Sequence, residues 1–226
     1  MSVFNAEETV ASAIQSLLNQ SYENIEILIV DDCSTDSTFN ICNDFAKKSN
    51  NILLYKNDKN IGLTKSLNFL ISKSNGNLIA RQDADDISDY RRIEKQIIFM
   101  NNNKLDASST RAKCINKNKT IPGFSYYLPK KFIIKFKNPF IHGSLIIKKD
   151  VLNEIGLYNE HFYFAQDYKL MNDLLKHNFK VGILKKPLYN LNTENNISKI
   201  YLTEQNYYAH CVRYGKIPDK KVVYSD

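Results

Sequence analysis

The chain has 226 residues, 43% apolar and 12% aromatic, enough for one folded domain with a buried core. Its formal charge of +7 conceals a split: residues 1–100 hold 10 basic and 14 acidic side chains, net −4, whereas residues 101–226 hold 21 basic and 10 acidic, net +11. The basic excess is carried by 26 Lys against 5 Arg, scattered rather than in one block. That bias argues against nucleic acid, whose readers lean on bidentate Arg, and fits an anionic membrane surface or a phosphorylated ligand. Cys33, Cys42, Cys114 and Cys211 form no C-x-x-C pair and no zinc spacing. No leader pattern and no apolar run of bilayer length occur, so a cytoplasmic protein is expected.

In chain order, Val10, Ile14, Leu17 and Leu18 share one face of a helix predicted over residues 7–20. Ile25 to Val30 reads as a buried strand that runs into Asp31-Asp32. Ser34 to Thr38 supplies N-caps for a helix carrying Ile41, Cys42, Phe45 and Ala46. A strand over residues 52–55, a helix over 62–73 and a strand over 78–80 follow, the last leading into Asp83-Ala84-Asp85-Asp86. This alternation predicts a parallel α/β sheet with right-handed crossovers, and it places the acidic clusters at strand carboxyl ends, where such sheets bind ligands. A helix is expected over residues 88–101, a strand over 142–147, and helices over 149–155 and 166–177. Residues 117–139 show no clean period. With no linker and no repeat, the chain reads as a single domain, 1–226, with functional halves 1–100 and 101–226.

No G-x-G-x-x-G or P-loop occurs, so any phosphate must be neutralised differently. Asp83-x-Asp85 suits Mn²⁺ or Mg²⁺, hard cations that bridge carboxylate and phosphate oxygens, although the same residues would serve as acidic caps for the next helix. Asp167 can likewise be read as a helix N-cap.

The ordered set Ser2-Val3-Phe4-Asn5-Ala6-Glu7, Leu17-Leu18-Asn19-Gln20-Ser21-Tyr22, Val30-Asp31-Asp32-Cys33-Ser34, Asn60-Ile61-Gly62-Leu63 and Gly76 to Asp86 resembles the family 2 inverting glycosyltransferases of GT-A fold. The likeness is dense over residues 2–100 and resumes at His142-Gly143-Ser144, Gly156-Leu157-Tyr158-Asn159 and Ala165 to Leu170. It implies a Rossmann-like α/β fold with a mostly parallel central sheet, flanking helices and a shortened first strand.

The resemblance also implies roles. Phe4 would stack on the nucleotide base, with Asp31 and Asp32 at the uracil, Lys65 facing the diphosphate and Asp83 at the ribose. Asp85, with Asp83, would hold Mn²⁺ or Mg²⁺. Asp167 would be the catalytic base, and His142 and Gln166 would line the acceptor cleft. The implied reaction moves a sugar from a UDP-sugar to a hydroxyl of a bacterial surface glycan or glycolipid, by an enzyme peripheral to the inner face of the cell membrane. The sequence departs from the pattern at Gln166, where the family has Glu, and at Asn190 and Asn192, where it often has Arg-x-His before the segment matched by Asn196-Ile197-Ser198. Lys185, Lys186 and Lys199 are candidate substitutes for the lost cation. These departures leave a non-catalytic nucleotide-sugar or glycan-binding relative as the alternative. A basic, aromatic tail around Tyr207-Tyr208, Arg213, Lys216, Lys220 and Lys221 reads either as a membrane contact or as a solvated helix end.

Overall fold

The computed structural model describes residues 1–115, 117, 119–193 and 201–219. Asn196, Ile197, Ser198, Lys199, Lys220 and Lys221 lie outside the described residues. The first half follows the expected alternation: β1 (Ser2–Val3), α1 (Val10–Leu18), β2 (Ile27–Asp31), α2 (Thr38–Lys48), β3 (Ile52–Lys56), α3 (Leu63–Lys73) and β4 (Leu78–Ala80). β5 (Ile87–Ser88) and α4 (Arg92–Asn103) follow the acidic cluster. The second half contains β6 (Ala107–Cys114), β7 (Lys119–Ile121), α5 (Lys130–Ile133), β8 (Ile146–Lys148), α6 (Lys149–Glu154), α7 (Gln166–Lys176), β9 (Val181–Leu191) and α8 (Leu202–Tyr214).

β1, β2 and β3 form a parallel three-stranded sheet in that order. The second sheet runs β4-β8-β6-β9-β5, with β7 on β6, and only β6 and β9 pair in parallel. Its antiparallel pairs bring segments distant in sequence beside β4: Leu78 to Ala80 lie opposite Lys148 to Ile146. The strand expected over residues 142–147 is shorter. His142–Ser144 is a 3-10 turn closed by the Leu145 N–H on the His142 carbonyl at 3.0 Å and the Ser144 hydroxyl on the Ile141 carbonyl at 2.9 Å, so the strand starts at Ile146.

Two cores hold these layers. Val3, Val10, Ile14, Ile29 and Ile52 join the three-stranded sheet to α1 and α2. A larger cluster, including Leu67, Ile147, Phe164, Leu174 and Tyr208, packs α3, α6, α7 and α8 against the second sheet. At about 25 cal/mol per Å² of apolar area, such side chains each contribute roughly 1.5–3 kcal/mol of burial. A cavity of about 120 Å³ remains between β2 and β4, lined by Met1, Leu28, Ile71, Leu78, Arg81 and Arg92 among others. The Met1 ammonium donates to the Leu28 carbonyl at 2.6 Å there, and burial pulls its pKa down to about 5.

Candidate active site

Both acidic clusters lie where β2 and β4 end. At β2, the Asp32 N–H donates to the Val3 carbonyl at 2.8 Å, so the loop that follows β1 starts beside Asp32. That loop is tied to the β2–α2 loop: Asn5 Oδ1 accepts from the Thr35 N–H at 2.9 Å, Glu7 Oε2 from the Ser37 N–H at 2.9 Å, and Thr38 Oγ1 from the Ala6 N–H at 2.7 Å. Phe4 projects from this cross-linked corner with 47% of its surface exposed, as a base-stacking ring requires.

Asp31 and Asp32 are both buried. Asp31 Oδ2 accepts from the Ser34 N–H at 3.1 Å. Asp32 Oδ1 accepts from Asn57 Nδ2 at 2.7 Å and the Ile61 N–H at 2.9 Å, and its Oδ2 accepts from the Gly62 N–H at 2.8 Å. A carboxylate offers about four acceptor positions, so Asp32 holds the entry to α3 and keeps roughly one position for a ligand. Gly62 sits at φ 85°, and a Cβ there would come within 2.8 Å of Tyr163. Lys65 is exposed, on the first turn of α3 just beyond this corner.

At β4, Asp83 forms an ion pair with buried Arg81, and its N–H donates to the Tyr189 hydroxyl at 3.1 Å. Arg81 is held from behind by Arg92, wholly buried, whose Nη2 donates to the Arg81 carbonyl at 3.0 Å and whose guanidinium lies 5.5 Å from the Tyr189 ring centre. Asp86 is buried and accepts from the Asn192 N–H at 2.7 Å. Burial, then the charges of Asp83 and Asp85, push the Asp86 carboxyl up to about 8, and burial together with Asp83 raises that of Asp85. Three carboxylates crowded in this way repel one another, and a divalent cation would relieve them. Among the described residues no three His, Cys, Asp or Glu side chains by themselves form a metal-holding group. Asp85 and Asp83 are the carboxylates here that could hold a hard divalent cation, with water and substrate phosphates supplying its other ligands.

The third element is Asp167, on the first turn of α7, entered through Ala165 at φ 52°. Asn138 Nδ2 donates to Asp167 Oδ2 at 2.8 Å. Asn138 Oδ1 meanwhile accepts from the Phe140 N–H at 3.0 Å, which fixes the amide with its NH₂ towards Asp167. His142 shares a 2.8 Å hydrogen bond with the Tyr158 hydroxyl. Burial, with Arg81 second, lowers His142 to about 4, so the ring is neutral, and it lies within the fields of both Asp83 and Asp167. Gly143 beside it is sterically required: a Cβ would meet the Tyr189 hydroxyl at 2.3 Å and Asp83 Oδ2 at 2.6 Å. The turn that carries His142 thus packs against the D-x-D corner through Gly143. Gln166, half-buried, immediately precedes that residue on α7.

Asn190 pairs with Ile87 between β9 and β5, and Asn192 serves Asp86 through its backbone. Arg81, Arg92, Asn138 and Tyr189, which contact the candidate residues or their supports, are passed over by pattern reading; only Arg81 carries the signal of a cation next to an apolar run.

A parallel β-α-β half that ends a strand in Asp31-Asp32, joined to a mixed sheet whose first strand leads into the D-x-D, is the GT-A fold of glycosyltransferases. The chain belongs to glycosyl transferase family 2, whose profile matches residues 1–156. It is 33% identical over 177 residues to the O-antigen biosynthesis glycosyltransferase WbnJ of Escherichia coli, covering 75% of this chain and 68% of that protein. Its fold superposes on TarS 1–349 of S. aureus in complex with UDP, with a TM-score of 0.75 at 20% identity, over 98% of this chain and 65% of that one. The mannosyltransferase PcManGT of Pyrobaculum calidifontis, solved with GDP-Man and Mn²⁺, gives a TM-score of 0.74 at 16% identity, over 96% of this chain and 64% of that one. The chain therefore spans just under two thirds of both solved structures.

Proposed function

We propose that the chain is an inverting hexosyltransferase that moves a sugar from a UDP-sugar to a hydroxyl of a surface glycan or glycolipid. The observation that carries this reading is the packing of Asp83 against the turn that holds His142 and Gly143, together with the Asn138 amide that holds Asp167. Phe4 and Asp32 flank one corner for the nucleoside, and Lys65 stands beyond it for the diphosphate. Asp85 with Asp83 would hold Mn²⁺ or Mg²⁺, which supplies charge relief for the departing diphosphate when bound. Asp167 takes the proton of the acceptor hydroxyl as it attacks the anomeric carbon from the face opposite the leaving group, so no enzyme nucleophile is needed. Neutral His142 and Tyr158 shape the dry wall between donor and acceptor. The UDP in the TarS complex and the Mn²⁺ in the PcManGT complex support the donor class and the cation, and the O-antigen role of WbnJ supports the acceptor class. Among the described residues no helix is long and apolar enough to cross a membrane, and the reading places the enzyme at the cytoplasmic face of one, bound peripherally.

The test is a panel of UDP-sugars assayed for released UDP with a glycan acceptor, with and without Mn²⁺. Release with at least one donor, dependent on the cation, is expected. Cation-dependent UDP binding without turnover for any donor would instead identify the non-catalytic relative.

A further inference from the structure

Residues 124–137 carry an unusual surface. α5 and the turn after it are bolted inward by Ile133 and Ile134, both buried. The outer face of the same turns shows Phe132 and Phe136, 52% and 58% exposed, with ring centres 5.2 Å apart. Lys135 and Lys137 flank them, exposed and without an ion pair among the described residues, and exposed Lys131 donates to Asn178 Oδ1 at 2.8 Å. Phe124 and Tyr127, 78% and 66% exposed, extend the face at the preceding 3-10 turn. Exposed large aromatics normally stand singly on a soluble surface; a pair beside several cations that make no ion pair marks an interaction site.

We propose that this face docks on an anionic lipid bilayer, with the Phe132 and Phe136 rings entering the headgroup region and the lysines meeting lipid phosphates. Charge complementarity selects the occupant: the half of the chain that carries the face has a net charge of +11. The aromatic and Lys composition is that of an interfacial anchor, in which rings occupy the boundary and flexible ammoniums reach the phosphates. The tail that the sequence suggested for this role is a poorer fit, since Tyr208 is buried in the core. Its Arg213 nevertheless reaches the face, donating from Nη1 to the Phe136 carbonyl at 3.2 Å.

Placement gives the docking a purpose. Asn138, which holds Asp167, follows Phe136 by two residues, so a bilayer against the face lies next to the acceptor side of the site. That purpose rests on the catalytic reading above; the docking itself does not.

The test is co-sedimentation of the full chain with phosphatidylcholine vesicles and with vesicles that also contain phosphatidylglycerol. Binding to the anionic vesicles alone, weakened by salt, is expected. Phe132→Ser with Phe136→Ser should weaken it about tenfold or more. Lys131→Gln with Lys135→Gln and Lys137→Gln should cost about fivefold for each lysine neutralised. UDP release from donor in detergent-free buffer should stay at the wild-type level in both variants, since neither touches the site. Wild-type protein that ignores anionic vesicles overturns the proposal, as does vesicle binding that both variants retain in full. Vesicle binding that the variants lose, in a protein with no transfer activity, would uphold the docking while removing the catalytic reading.

Discussion

Replacing Asp32 by Asn isolates what a buried carboxylate does at the nucleotide corner. The exchange keeps shape and volume but converts one acceptor oxygen to an NH₂. Asp32 receives three hydrogen bonds, from Asn57 Nδ2 and the Ile61 N–H on Oδ1 and from the Gly62 N–H on Oδ2. In its better orientation the carbonyl of the new amide keeps Asn57 and Ile61, and its NH₂ then faces the Gly62 N–H, donor against donor. An unsatisfied buried donor costs about 1–3 kcal/mol, and two charge-assisted bonds reduced to neutral ones lose roughly 1 kcal/mol each. Removing one charge beside buried Asp31 recovers part of this, which leaves a net loss of about 2–3 kcal/mol. For a chain of this size that lowers the melting temperature by roughly 5–10 °C. Urea denaturation followed by circular dichroism reads the loss directly, with exposed Asp58→Asn as a control expected within about 0.5 kcal/mol of wild type. A loss for Asp32→Asn no larger than the control would refute the view that this carboxylate clamps the entry to α3.

Three further outcomes follow from the site. Asn138→Ala should lower kcat by about 10- to 100-fold with donor affinity unchanged, because it releases the carboxylate from its reactive orientation. In an Asp167→Asn background the same change should cost almost nothing, and equal losses in both backgrounds would show that Asn138 acts elsewhere. His142, held neutral with a folded value of about 4 against an ordinary 6.5, contributes stability that is fully present above pH 6.5 and lost as pH falls towards 4. The loss amounts to roughly 3 kcal/mol at most, and denaturation midpoints of His142→Asn compared with wild type across that window should show a flatter acid side; parallel curves would contradict it. Gly143→Ala should lower both stability and donor binding, since its methyl group displaces Tyr189 or Asp83, and a variant with unaltered UDP affinity would show that the corner yields freely.

The first half of the fold was legible because its strands are short apolar runs, of which Ile27 to Val30 is largely buried on both faces, and its helices carry regular inward stripes. In the second half α6 and α7 were legible in the same way, but the strands β6 and β9 were not. β6 buries Ser108, Ser109 and Thr110, polar residues that pattern reading sends to the surface. Ser108 and Thr110 are accommodated by tertiary bonds: Gln96 Nε2 donates to the Ser108 carbonyl and hydroxyl, and the Thr110 N–H donates to Ser144 Oγ at 3.1 Å. β9 contains Lys185-Lys186-Pro187 and tolerates them because its register with β6 shifts around Arg111.

Site residues divide in the same way. Asp32, Asp83 and Asp85 stood out as candidates because they follow recognisable strands, and Asp167 because an ordered motif surrounds it. Asn138 was not, since its meaning lies in one hydrogen bond spanning 29 residues, for which no local pattern exists. Arg81 and Arg92 were passed over because buried cations contradict the usual partition, and only the fold reveals that they brace Asp83 and its loop.

The central claim is that Asp167 is the base of a sugar transfer whose donor is held at Phe4, Asp32 and the D-x-D. Single-turnover transfer from a UDP-sugar by Asp167→Asn, measured alongside its UDP-sugar affinity, tests it most directly. The account predicts wild-type affinity with transfer slowed by about 10²- to 10⁴-fold. Transfer at the wild-type rate would contradict it.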